Sequence, residues 1–270
     1  CIFRIFSIYS ASVVAVADST FVVVVVPHNA AESGVFPWTI PGVSEPIPSP
    51  VPDLLPQPPE VVDPVIPGEP EEPVSQFTTV DASYFDDALF LGDSHTDGFH
   101  DYAGLGNATY FTKNGLTVKD AVEKSFIELD GKKVTLAEAL GTRQFGKVYI
   151  LLGINEIGAY TAADWAAQYK SLLDLVREKQ PDAVIFIQSI FHTTQKKSDS
   201  SYFKNEVINE RNAAIAQLAD GKTIFYLDLN PLFDDENGAL CADYSGDGVH
   251  VRAPYYVQWR DELYRFGVVK

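Results

Sequence analysis

Residues 88–98 read Ala-Leu-Phe-Leu-Gly-Asp-Ser-His-Thr-Asp-Gly. Ala88 to Leu91 form an apolar run of strand length, and Gly92 breaks it. Asp93 and Ser94 follow at once. A strand ending in Gly-Asp-Ser delivers a hydroxyl to the mouth of a sheet, where a helix can begin. The free N–H groups of such a helix start face any negative charge that develops there. The stretch therefore predicts a strand, a sharp turn and a candidate nucleophile. Gly-Asp-Ser is also common in ordinary turns, so its weight depends on what the rest of the chain brings to the same place.

From residue 76 onward, short apolar runs alternate with helical periodicity. Strands are predicted at 89–91, 109–112, 148–152, 184–188 and 224–228. Helices are predicted near 117–125, 162–179, 201–219 and 254–266. Trp165, Tyr169, Leu172 and Leu173 recur at helical spacing and read as core. The alternation predicts an α/β fold, a three-layer α/β/α sandwich around a five-stranded parallel sheet of flavodoxin-like type. Ligands of such sheets bind beyond the carboxyl ends of the strands.

Four loops lie on that edge: Gly92-Asp93-Ser94, Lys113-Asn114-Gly115, Gly153-Ile154-Asn155-Glu156 and Asp247-Gly248-Val249-His250. Their side chains divide among the roles that acyl transfer needs. A serine hydroxyl such as Ser94 is unreactive at neutral pH without an adjacent base. Histidine titrates near neutrality, which makes His250 the candidate base. Asp247 can accept from the imidazole and fix its tautomer. The Ser94 and Gly115 N–H groups and the Asn155 amide are candidate oxyanion donors, each typically worth about 3 kcal/mol of barrier. Each loop alone also reads as a turn, a helix cap or a structural histidine. Four loops in complementary roles on one edge favour a site.

These residues resemble the SGNH hydrolases, also called the GDSL esterase/lipase family, over about residues 85–266. The first block corresponds to Gly92-Asp93-Ser94, with His95 where the family's name has Leu. Gly115 corresponds to the second block. Gly153-Ile154-Asn155-Glu156 corresponds to the third, with Glu156 in place of the usual Asp, a change expected to affect loop support and not the oxyanion donor. Asp247-Gly248-Val249-His250 corresponds to the last. The resemblance implies a Ser94–His250–Asp247 triad, an oxyanion hole of Ser94, Gly115 and Asn155, and no cofactor or metal.

The remaining sequence bounds this reading. A net charge of −17 over 270 residues argues against nucleic acid and against electrostatic docking on anionic lipid. Two cysteines, Cys1 and Cys241, do not suggest a disulfide framework. Methionine is absent even at position 1, which suggests a fragment or a processed chain. Residues 1–40 are an apolar N-terminal segment whose first part resembles an export signal or anchor. Residues 41–75 are a spacer, with twelve prolines and seven acidic residues between 41 and 73. Residues 76–270 are the globular hydrolase domain. The chain is thus expected to be extracellular or cell-surface, of bacterial export type, with membrane or cell-wall tethering through its N-terminal segment. No long apolar lid stretch appears in the domain, which disfavours a long-chain lipase, and the resemblance to carbohydrate-active members of the family together with the stalk implies a short-chain, acetyl ester, small-molecule or on a glycan.

Two rivals stand beside it. Asp93, His95, Asp97, His100 and Asp101 crowd into nine residues, as in a metal-dependent phosphoesterase or deacetylase. A non-catalytic glycan-binding module on a stalk is the other. Within the esterase reading, His95, Gln188 and His192 are candidates to line the substrate pocket.

Overall fold

The computed structural model describes residues 77–268. The predicted N-terminal segment 1–40 and the spacer 41–75 lie outside the described residues. The domain is a five-stranded, wholly parallel sheet with helices on both faces. Its strands are β1 (Ala88–Gly92), β2 (Thr109–Thr112), β5 (Lys147–Leu151), β6 (Val184–Gln188) and β7 (Ile224–Leu227), in the order β2-β1-β5-β6-β7. The strand order reverses at β1, so the switch point lies between β1 and β5. Between the strands run α1 (Ser94–Tyr102), α2 (Val118–Glu123), α4 (Ala162–Lys179), α5 (Gln195–Ser200) and α6 (Asn205–Ala216), and α7 (Tyr256–Leu263) closes the fold. Among the described residues no helix is long and apolar enough to cross a membrane.

The strands alternate sides as the pleat requires. Leu89, Leu91, Val148, Ile150, Ile185 and Ile187 pack on one face with Trp165, Tyr169, Leu172 and Leu173 of α4. On the other face the register aligns one aromatic residue from each strand, Tyr110, Phe90, Tyr149, Phe186 and Phe225. Their rings form a stacked ladder with centroids 5.3, 4.7, 4.5 and 5.8 Å apart. Trp259 and Leu263 of α7 and Phe99 of α1 join the core on this face. The ladder fixes register, because a one-residue slip would send every ring to the wrong side of the sheet.

Two features differ from the sequence expectation. A small hairpin, β3 (Ile127–Leu129) and β4 (Lys132–Val134), with α3 (Leu136–Leu140) after it, lies between α2 and β5. The helix predicted over 201–219 is shorter, α6 spanning only Asn205–Ala216, and the separate helix α5 lies ahead of the predicted range with 201–204 non-helical between them. The interruption frees Asn205, whose side chain accepts from the Thr193 N–H at 2.8 Å and donates to the Thr193 carbonyl at 2.9 Å. A continuous helix would leave the loop after β6 without that brace.

The ladder sets a stability expectation. Phe186→Ala opens a cavity within it and should cost roughly 3–5 kcal/mol in urea unfolding. Tyr149→Phe removes a buried hydroxyl that has no hydrogen-bond partner, and should leave stability unchanged or slightly raised.

Candidate active site

Ser94 opens α1, and Asp93 is the cap, its side chain accepting from the His95 N–H at 3.0 Å. The Ser94 N–H lies in the first turn, where a helix offers no internal acceptor. The Ser94 hydroxyl is 2.8 Å from His250 Nε2. His250 Nδ1 is 2.7 Å from Asp247 Oδ2. Since the carboxylate accepts at Nδ1, that nitrogen carries the proton and Nε2 offers its lone pair to the serine. The four sequence blocks therefore meet at the switch point: Ser94 follows β1, Gly115 follows β2, Asn155 follows β5 and His250 stands on the loop before α7.

The 245–251 loop explains how two neighbouring residues can orient each other. Asp247 Oδ1 accepts from the Val249 and His250 N–H groups, both at 2.9 Å. One oxygen of the carboxylate thus builds the turn while the other holds the imidazole. Ser245 closes the loop, donating to the His250 carbonyl at 2.8 Å and accepting from the Gly248 N–H at 2.9 Å. Gly248 takes φ +85°, and a Cβ there would press on Thr194 and Lys197. Thr194 N–H donates to the Gly248 carbonyl at 2.9 Å, which ties this turn to the loop after β6. Partial burial of Asp247 opposes ionisation. Hydrogen bonds from the His250 side chain and from the His250 and Val249 backbone outweigh it and hold the carboxyl well below the usual range.

The candidate oxyanion donors are unequally free. Gly115 sits in the turn after β2 at φ +73°, and among the described residues its N–H has no acceptor. The Asn155 amide donates to Asp93 Oδ2 at 3.0 Å and to the Leu116 carbonyl at 3.1 Å, so both of its protons are engaged. Glu156 does support this loop, as its departure from the family pattern suggests. It is buried and accepts from the Val118 N–H at 3.0 Å and from Trp165 Nε1 at 3.2 Å. Buried Arg211 braces the same turn from α6, donating to the Glu156 and Gly153 carbonyls. No sequence signal marked Arg211.

The three residues predicted to line the pocket do not line an open one. Gln188 is fully buried and accepts from Trp259 Nε1 at 2.8 Å, so the core claims it. His192 is buried between Asp234, 2.8 Å from Nδ1, and Asn209, 2.7 Å from Nε2, and serves as a brace under the loops. His95 lies beneath His250 at 1% exposure. Nor do the acidic and histidine side chains at 93–101 converge. Asp97 accepts from Thr112, His100 stacks on Tyr110, and His95 turns inward. Among the described residues no three His, Cys, Asp or Glu side chains are grouped to hold a metal ion.

The profile of the GDSL-like lipase/acylhydrolase family matches residues 90–256, more than half of the chain. The chain belongs to that family. It is accordingly an ester hydrolase of the SGNH type, and its sheet is the three-layer sandwich of that fold. A Streptococcus pneumonia protein provisionally named a platelet activating factor shares the fold at TM-score 0.51 and 22% identity, over 67% of this chain and 84% of that one. A GDSL-like lipase from Bacteroides thetaiotaomicron aligns at TM-score 0.49 and 19% identity, over 64% and 83%. A carbohydrate acetylesterase family member from Sinorhizobium meliloti aligns at 0.45 and 18%, over 66% and 97%. No curated protein sequence matches the chain.

The depressed Asp247 carboxyl gives a pH test of the loop. A carboxylate with a lowered folded pKa adds stability above its unfolded value, about 3.9, and that stability fades as pH falls through the folded one. The melting-temperature gap between the native chain and Asp247→Ala should therefore be widest near pH 6 and narrow toward pH 3. A gap that stays constant would show that the charge of Asp247 does not hold the loop.

Proposed function

We propose that this hydrolase is a serine esterase that removes short acyl groups, acetyl above all, from a carbohydrate or cell-wall glycan. The observation that carries the mechanism is the pair of short contacts, Ser94 to His250 at 2.8 Å and His250 to Asp247 at 2.7 Å. His250 takes the proton of Ser94 as Oγ attacks the ester carbonyl. Asp247 holds the imidazolium that forms. The tetrahedral oxyanion lies against the Ser94 and Gly115 N–H groups. Asn155 becomes a third donor by exchanging its bond to the Leu116 carbonyl for the oxyanion, while its bond to Asp93 keeps it in place. His250 then protonates the departing alcohol. Water releases the acid by the same route, with His250 as base and Ser94 as leaving group.

The short-acyl preference rests on the sequence, in which residues 77–270 carry no long apolar stretch of the kind that would form a lid over a long acyl chain. The glycan and the surface location rest on the sequence: an apolar N-terminal segment, then a proline-rich acidic spacer that suits an enzyme held away from a membrane or wall.

Hydrolysis of p-nitrophenyl acetate tests the mechanism. Ser94→Ala should lose at least about 10³-fold in kcat/KM, and the native activity should survive EDTA. Activity that persists in Ser94→Ala and falls with chelator would contradict the serine route. Acetyl esters should be preferred to octanoyl esters, and the reverse order would contradict the short-acyl assignment.

A further inference from the structure

His95 occupies the position beside the nucleophile where the family's name has a leucine. It is almost wholly buried, and both of its ring nitrogens face acceptors. Nε2 is 3.2 Å from the Val249 carbonyl, which can only accept. Nδ1 is 3.3 Å from Asp93 Oδ1. That carboxyl accepts on every side, from the His95 N–H at 3.0 Å and from the Asn155 amide at 3.0 Å. A neutral imidazole has one donor and would leave a lone pair against one of these oxygens. An imidazolium satisfies both. The ring also lies under His250, with centroids 4.8 Å apart and planes inclined by 31°.

From this geometry we propose that His95 is a positioning residue that carries a fixed positive charge beneath the catalytic base, so that it both anchors the His250 loop and lowers the basicity of His250. The proposal rests on His250 being the base, as argued above. The anchoring runs through Val249, the residue immediately before His250. Asp93 caps the nucleophile's helix, so a single side chain locks the loop of the base to the helix of the nucleophile.

The charged groups around the pair fix the sign. Asp93 faces His95 from the end of β1, and Asp247 and His250 face it from the 245–251 loop. Phe191, packed edge-on from the loop after β6, is uncharged. Tyr256 of α7 lies within electrostatic reach of Asp93 and Asp247, with its hydroxyl pushed up by burial and so neutral. Lys197 of α5 abuts the Gly248 turn through its stem, with its amine over the Phe203 ring. Burial of His95 works against its charge, but the Asp93 carboxylate, the Val249 carbonyl and Asp247 together raise its titration above the ordinary histidine value. His95 is therefore held in its charged form more strongly than an ordinary histidine. A cation at that distance disfavours a second one on His250.

The test is the pH profile of kcat/KM for acetyl ester hydrolysis by the native chain, His95→Gln and His95→Leu. Glutamine keeps a donor toward Val249 without charge, and leucine restores the family residue. Removing the cation lets His250 hold its proton to higher pH, so the acid limb should move up by about one pH unit in both variants. A limb that stays within about 0.3 units in an active variant would overturn the proposal, because loss of packing alone lowers the rate without moving the limb. Should neither variant fold, nitrogen NMR of the native chain with labelled histidine decides. Both His95 nitrogens should be protonated at pH 7, and a single protonated nitrogen there would overturn the proposal. Retained activity in Ser94→Ala would instead strike at the serine reading itself, so the two failures are distinguishable.

Discussion

The buried Asp93 carboxylate is the contact on which the site depends. It sits one residue before Ser94 and is fully enclosed. One oxygen caps α1 through the His95 N–H and meets the His95 ring, and the other holds the Asn155 amide. A carboxylate in a dry position is costly unless donors surround it. Here the donors come from α1, which Ser94 opens, and from the turn after β5, and His95 passes the link on to the His250 loop. The same electrostatic demand that makes Asp93 tolerable therefore draws three of the four sequence blocks together at the switch point between β1 and β5.

Most of the architecture was legible because its signals were strong. The strand runs were short, apolar and spaced by helical stretches, and the five predicted strands are the five of the sheet. The hairpin β3–β4 was missed because its strands are three residues each and rich in charge, with Glu128, Lys132 and Lys133 where apolar alternation would be sought. Its signal was the Asp130-Gly131 pair, both residues at positive φ, the usual chemistry of a two-residue hairpin turn. The break between α5 and α6 had no comparable mark, since its reason is tertiary: Asn205 is needed at the Thr193 loop.

The site shows the same division. Ser94, Asp247 and His250 were found by role and by their place on the sheet edge, and they meet at hydrogen-bonding distance. Asp93 was read as a member of a ligand cluster, and its burial beneath the site could not be seen from spacing. His95, Gln188 and His192 were candidates to line the pocket, His95 because it adjoins Ser94 and the other two because they come at the end of β6 and just after it, at the same edge of the sheet. Each instead meets a buried partner, Asp93, Trp259 and Asp234 respectively. The exposed part of the site is thus lean, with Asp247 55% and His250 40% exposed, while the polar residues behind it form a rigid support.

The measurement that bears most directly on this account is covalent trapping of the chain with a fluorophosphonate, read by intact mass and peptide mapping. The account predicts one adduct, on Ser94, formed rapidly in the native chain and slowed by at least about 10²-fold in His250→Ala, because the hydroxyl reacts only when its proton has somewhere to go. Labelling of a different residue, or labelling of Ser94 at an unchanged rate without His250, would contradict it.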